Sequence, residues 1–413
     1  MREFMRGPMP FLCLGHSFDH MLTTIYMAII TMALVDAWGL PYGRLLELSW
    51  FGMVLFGAGA PLAGWLADRW SATGMMTTFF VGIGLSSVAT GFATNELEMA
   101  LGLAAIGLFA SIYHPVGIPM TIAVGGDRGG RMLGINGVFG SLGMALAAIT
   151  AAVLIELHSW RAAFIVPGIA AALLGVWFAI RFRHGVPIAP RKATAPQPSR
   201  GLGQYLWILV MLAIMTVGAG MVFQSVTVNL NEIVDSRAGA LLGGSALGVG
   251  AVVTTILVIG GGAQLLGGLI ADRFGLRRAF LTIYGLMIPA LVAASLLAGV
   301  PMIITLILVV AITVGNQPVA DTLFGRYFPR EWVNRAYGVR FALSLATAAL
   351  AIPLAARIHD ATGDFFWLFV VLVGFAAAVV LSLVLLPREA PGEAKVAAAP
   401  REGRRAPIAE PAE

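Results

Sequence analysis

The amino-acid sequence predicts an all-α membrane protein whose twelve transmembrane helices form two parallel six-helix repeats. Three observations lead there. Of 413 residues, 59% are hydrophobic and only 11% are charged, where a soluble domain carries about a quarter. The apolar runs are long and nearly uncharged. In lipid the backbone must satisfy itself as helices or closed barrels, and barrel strands would alternate apolar and polar residues. Finally, polar landmarks of the first half of the chain return in the second at one offset.

A span needs roughly 20 mostly apolar residues. The first covers 11–34; it starts near Pro10 without a signal-peptide cleavage motif and reads as a retained helix. The second, 46–66, closes on Asp68 and Arg69, and the third, 75–93, follows that charged turn. The fourth, 97–123, carries Pro115 in its middle; the fifth and sixth are 132–155 and 161–181. Residues 183–203, rich in Pro, Arg and small polar residues, read as a flexible cytoplasmic linker. The spans 204–229, 241–270, 279–299, 302–322, 335–357 and 364–386 complete the second set. The expected division is therefore an N-terminal half, 1–182, the linker, a C-terminal half, 204–386, and a disordered tail, 387–413.

The basic residues fall mainly in the first ten residues and the loops at 67–74, 124–131, 182–203, 271–278 and 323–335. The opposite loops hold Arg44, Arg161, Arg237 and Arg357. This positive-inside asymmetry predicts an inner (plasma) membrane protein with both termini in the cytoplasm. It also accounts for the net charge of +5 without a nucleic-acid partner. The single cysteine, Cys13, excludes an intrachain disulfide. No Walker sequence and no Cys/His metal spacing appear, so neither ATP nor a metal or other cofactor is expected, and nothing resembles an enzyme's nucleophile and base.

The segment GAGAPLAGWLADRW (57–70) aligns with GGGAQLLGGLIADRF (260–274), which sets Asp68 against Asp272; YHPVG (113–117) aligns with NQPVA (316–320). Both pairs share an offset within one residue, the mark of parallel halves. Gly64–Trp70 and Gly268–Arg278 resemble the loop motif of the major facilitator superfamily, G-x-L-x-D-R-x-G-R-R. The first copy departs from it, with Ser71, Ala72 and Thr73 where a glycine and two basic residues are usual. The resemblance covers residues 11–386. It implies the major facilitator fold, transport by alternating access, and a gating role for Gly64, Asp68, Arg69, Gly268, Asp272, Arg273 and Arg277. GHSFDH (15–20) and GLFASIYHPVG (107–117) further resemble the fosmidomycin-resistance-like branch, which implies a proton-linked exporter of small compounds.

In the first span, His16, Asp19, His20 and Thr23 share one helical face. Counting 1.5 Å per residue puts Asp19 and His20 roughly 14–15 Å from the edge, near the middle of a hydrocarbon core of about 30 Å. A carboxylate there costs at least ~2.5 kcal/mol unless it faces a cavity or a partner. The expectation is that Asp19, helped by His16 or His20, carries a proton; the structural alternative is a polar pair closing the helix against its neighbours. His114 sits at a matching depth beside Tyr113 and Pro115 and joins the proton-coupling candidates. The repeat places Gln224 opposite His20 and Gln317 opposite His114, so titratable groups face neutral amides. Tyr113, Asn136, Gln224, Asn316, Gln317 and Arg340 are the candidate substrate contacts. Arg340, the repeat partner of Asn136, either faces the cavity and pairs with a carboxylate or phosphonate or snorkels to the headgroups. Asp321 is expected near Arg326. The expected partners are a small-molecule substrate, protons and the lipid bilayer, with the protein a monomer. The alternative to export is uptake or exchange of a small carboxylate or phosphonate anion with Arg340 as its anchor, and a non-transporting receptor or assembly factor is the reading from another class.

Overall fold

A computed structural model describes residues 7–186 and 206–387, apart from 318, 321–322, 324–326 and 328–329. The linker beyond Val186, the tail beyond Pro387, the Asp321–Arg326 pair, the surroundings of Gly268 and the side chain of Asp272 lie outside what is described. The described chain is helical throughout. Its first six helices are α1 (Met9–Trp38), α2 (Tyr42–Arg69), α3 (Ala72–Thr90), α4 (Glu96–Gly125), α5 (Gly129–Leu157) and α6 (Trp160–Arg181). The second six are α7 (Leu206–Ala238), α8 (Ala246–Phe274), α9 (Leu276–Leu296), α10 (Gly299–Gly315), α11 (Arg330–Thr362) and α12 (Phe366–Leu385).

Several helices run past the apolar stretch that predicts them, because polar residues complete their last turns. α1 continues through a wide turn at Ile30–Leu34 and stops at Gly39, whose φ of +64° needs no Cβ. α3 begins earlier than expected, at Ala72, because the Ser71 hydroxyl accepts the Gly74 N–H at 3.0 Å. α7 continues to Ala238, so Arg237 lies in its last turn and not in a loop. There Arg237 donates to the Ala294 and Ser295 carbonyls and to Asp364. In the first half Arg161 donates to the Gly91 and Ala93 carbonyls at 3.0 and 2.7 Å. Each arginine thus satisfies the open carbonyls where the third helix of its half ends.

Both copies of the proline motif interrupt their helix. Pro115 has no N–H to give, and α4 widens into a π turn at Tyr113–Gly117. α10 ends at Gly315, with Asn316 as its cap, where the second copy begins.

The halves meet at the end of the bundle that carries residues 39–41 and 243–245. Tyr42 donates to Asn229 at 3.0 Å, the Gly43 N–H to Asp360 at 3.0 Å, and Trp50 to the Ala349 carbonyl at 2.8 Å. Glu156 accepts the Ser245 hydroxyl and the Leu247 N–H, both at 3.0 Å. Between α5 and α8 the backbones nearly touch: a Cβ on Gly250 would lie 2.7 Å from the Ala152 Cβ and 2.9 Å from the Ala148 carbonyl oxygen. Farther along the same two helices the contact thins to a hydrogen bond of 3.1 Å from Gln264 to Ser141. Beyond it, Gly137, Gly134 and Gly130 face open space, with no atom within 4 Å of an added Cβ. Among the described residues, then, the halves close at one end and part at the end that carries the repeated loop motif.

Candidate functional site

Each half holds one polar site. The first gathers on α1, α4 and α5. The 120-residue gap between His16 and Asn136 is closed by a hydrogen bond, His16 Nδ1 to the Asn136 carbonyl at 2.8 Å. The Asn136 side-chain N–H₂ donates to the Leu12 carbonyl at 3.1 Å and to the Tyr113 hydroxyl at 2.8 Å; that hydroxyl donates to Leu12 at 2.6 Å. Tyr113 and Asn136 are fully buried by this, and Tyr113 stacks on His16 with ring centres 4.9 Å apart. Gly140 leaves room for the His16 ring: a Cβ there would lie 2.6 Å from its Cε1.

Asp19 is completely buried. The His114 Nε2 lies 3.4 Å from its Oδ2, and among the described residues no donor reaches either carboxylate oxygen in good hydrogen-bond geometry. Thr23, on the same face, turns its hydroxyl back to the Asp19 carbonyl at 2.7 Å. The three histidines converge. His20 and His114, 94 residues apart, have ring centres 5.5 Å apart, and His16 lies 4.9 Å from His20 and 5.4 Å from His114. His16 is buried, while His20 and His114 are half-buried.

The second site is a pocket in the C-terminal half with about 550 Å³ of space, its open mouth included. Gln224, Asn316, Gln317 and Arg340 all line it. α11 starts at Arg330, so Arg340 stands ten residues into the helix, deeper than the five that the sequence suggests. Asn316 is 2% exposed, and among the described residues neither its amide nitrogen nor its oxygen has a partner. The Tyr284 hydroxyl, also on this pocket, is likewise unpartnered there. Sequence reasoning missed Tyr284, Thr216, Thr313 and Ser344, which line the pocket too. Each is a common residue on an apolar helix, and only the packing of α7, α9, α10 and α11 turns them to one space. The amides and the arginine thus lie in the C-terminal half, and the histidines and the carboxylate in the N-terminal half.

The first loop motif touches the histidine site through Gly64, where an added Cβ would lie 3.5 Å from the Pro115 side chain. Asp68 and Arg69 end α2 exposed, with the Arg69 guanidinium 4.9 Å from the Trp65 ring centre; Gly64 lies one turn back in α2. Arg273 lies over Phe274, 5.5 Å from its ring centre. In the second copy Arg277 donates to the Val384 carbonyl at 2.8 Å and so ties α9 to α12. In the first copy, Thr73 occupies the matching position and accepts the Val186 N–H at 2.9 Å, just past α6. The departure from the motif therefore keeps the tie and changes its chemistry: each loop fastens the third helix of its half to the sixth.

No curated protein sequence matches the chain. Among solved structures it is similar to a D-xylose-proton symporter, with a TM-score of 0.75 and 14% identity over 93% of this chain and 97% of that one. The inward-open xylose transporter XylE from E. coli gives 0.72 at 14% identity, covering 93% and 97%. A bacterial homologue of the human lysosomal transporter Spinster, inward-facing and occupied, gives 0.69 at 14% identity, covering 93% and 94%. At such identities the likeness is one of fold. The sequence model of the Major Facilitator Superfamily matches residues 12–223 and 239–411. With that match over most of its length and twelve helices in the corresponding build, the chain belongs to the Major Facilitator Superfamily, a family of membrane transporters.

Proposed function

We propose that the protein is a proton-coupled secondary transporter that exports a small organic compound bearing a carboxylate or phosphonate, by alternating access. The observation that carries the substrate class is Arg340 on the C-terminal pocket, which the Asn316 amide and the Tyr284 hydroxyl, both unpartnered among the described residues, also line. A guanidinium offers a planar fork that fits two oxygens of such an anion, and the neutral donors and acceptors around it complete the match. Proton coupling is assigned to Asp19 with His114, His16 and His20. An ionised carboxylate that deep needs a cation or a proton beside it, and the His114 ring nitrogen at 3.4 Å can exchange one with it. Export is supported by the likeness of GHSFDH and YHPVG to the fosmidomycin-resistance-like branch.

In this reading the termini are cytoplasmic, the protein works as a monomer in the inner membrane, and the parted end opens to the cytoplasm. Asp68 and Asp272 would latch that end in the opposite state, through partners that change between states. The test is flux into and out of proteoliposomes under an imposed pH gradient, against a panel of carboxylates, phosphonates, neutral compounds and cations. The expected result is gradient-driven movement of an anion that Arg340→Gln reduces at least tenfold and Arg340→Lys only partly rescues. Flux confined to neutral or cationic compounds would remove the anion assignment. No flux and no proton movement for any compound would favour a receptor.

A further inference from the structure

We propose that His16, His20 and His114, with Asp19 beside them, form a binding site for one divalent transition-metal ion of the zinc class. The sequence shows only part of this: His16 and His20 stand at i, i+4 on one helix, a spacing that suits two ligands of one metal, but His114 comes from another helix 94 residues on. The fold brings one ring nitrogen of each to within 4.8 Å of the others.

Three features separate this group from a chance meeting of polar residues. First, the ring centres are 4.9, 5.4 and 5.5 Å apart. Three imidazoles bound tetrahedrally to one zinc at Zn–N of about 2.05 Å would have centres about 5.2 Å apart and nitrogens about 3.3 Å apart. The ring centres therefore already stand at the spacing a metal requires, while the nitrogens, within 4.8 Å of one another, must draw closer to bind it. Second, His16 is oriented in the manner of a metal ligand. Its Nδ1 meets the Asn136 carbonyl at 2.8 Å, which fixes the proton on that nitrogen and leaves a lone pair on Nε2. That Nε2 is buried and has no hydrogen-bond partner among the described residues. Third, the Asp19 carboxylate, also without a well-placed donor among the described residues, supplies negative charge beside the rings, its Oδ2 3.4 Å from the His114 Nε2. Three imidazoles and one carboxylate suit zinc, cobalt or nickel, whereas magnesium and calcium require an oxygen cage that the group does not provide.

The inference goes beyond the transport reading and does not depend on it, although the two share residues. The experiment therefore uses purified full-length protein in detergent, with a histidine-free tag, no gradient and no organic substrate. Zn²⁺ is titrated against a chelating dye, and Co²⁺ binding is followed by its visible d–d absorption. One ion per chain is expected, with an absorption spectrum of a low-coordinate nitrogen-ligated Co²⁺. His20→Gln and His114→Gln should each weaken binding about tenfold or more, since even second-shell changes cost 10–100-fold. A triple variant of the remaining histidines, His158→Gln, His184→Gln and His359→Gln, should bind as the parent does. Zn²⁺ should also raise the melting temperature of the parent and of the triple variant, a readout that requires each to be folded. Binding absent at micromolar Zn²⁺ would overturn the proposal, as would binding lost with the triple variant and kept by the cluster variants. Metal binding with no flux and no proton movement for any compound would end the transport reading and leave this one standing; flux without metal binding would do the reverse.

Discussion

Asn136 and Asn316 show how differently one residue type can serve in the two halves. Asn136 bridges Leu12 and Tyr113 through its amide and receives His16 on its carbonyl. Asn316 is just as buried but has no described partner for either end of its side chain. Asn136→Ala should therefore lower stability by about 1–3 kcal/mol, the cost of leaving buried groups unsatisfied, visible as a drop in melting temperature. Asn316→Ala breaks no described hydrogen bond and should lower the melting temperature less than Asn136→Ala does while weakening substrate binding; equal melting shifts for the two variants would contradict this division. The sequence marks both asparagines as candidates but cannot tell them apart. Burial depth follows from the helical count, whereas hydrogen-bond commitment depends on which carbonyl the neighbouring helix presents. Tyr284 went unread for the same reason, since nothing in its own segment shows that it turns to the pocket.

Helix ends and crossings carry the next level. The twelve spans are legible from hydropathy and charge, and the two proline motifs are among the landmarks that set the repeat offset. What hydropathy could not show is where the polar last turns stop, as at Arg237 and Ser71. Arg237 holds the end of α7 against α9 and Asp364. Asp364 lies between α11 and α12; partial burial opposes its charge, but the Arg237 hydrogen bond and the Phe366 N–H outweigh that and hold its carboxyl below the ordinary carboxylate range. A carboxylate held low stabilises the fold above its unfolded pKa of about 3.9 and loses that contribution as pH falls through its folded value. Melting temperatures of the parent and of Asp364→Asn, measured between pH 3 and 7, should therefore differ at neutral pH and converge at the acid end. At the α5–α8 crossing, Gly250→Val would place carbons against the Ala148 carbonyl and Ala152. It should disfavour the closed end, and thiol labelling of a cysteine introduced at Ser245 should rise; unchanged labelling would show that the crossing yields.

At the scale of the molecule, closure at one end and separation at the other are what one of the two states of the proposed alternating-access cycle requires. The contacts that define it are few and lie between named pairs. A bifunctional thiol reagent joining Glu156→Cys to Ser245→Cys should trap this state and stop transport, and a cleavable reagent should restore it on reduction. The buried Cys13 should not interfere. Transport that continues with the link intact would mean that this end need not open.

Glu156 has a further consequence. Its carboxylate holds the Ser245 hydroxyl and the Leu247 N–H at the first turn of α8, so one half of the protein supplies the anionic cap for a helix of the other. Opening that end strips the cap and leaves the helix terminus to water. The pair is exposed, and dissolved ions weaken such an attraction over a Debye length of about 8 Å at physiological ionic strength. The rate of opening is thus set partly by the salt of the bathing solution, and single-molecule dwell times in the closed-end state should shorten as that salt is raised.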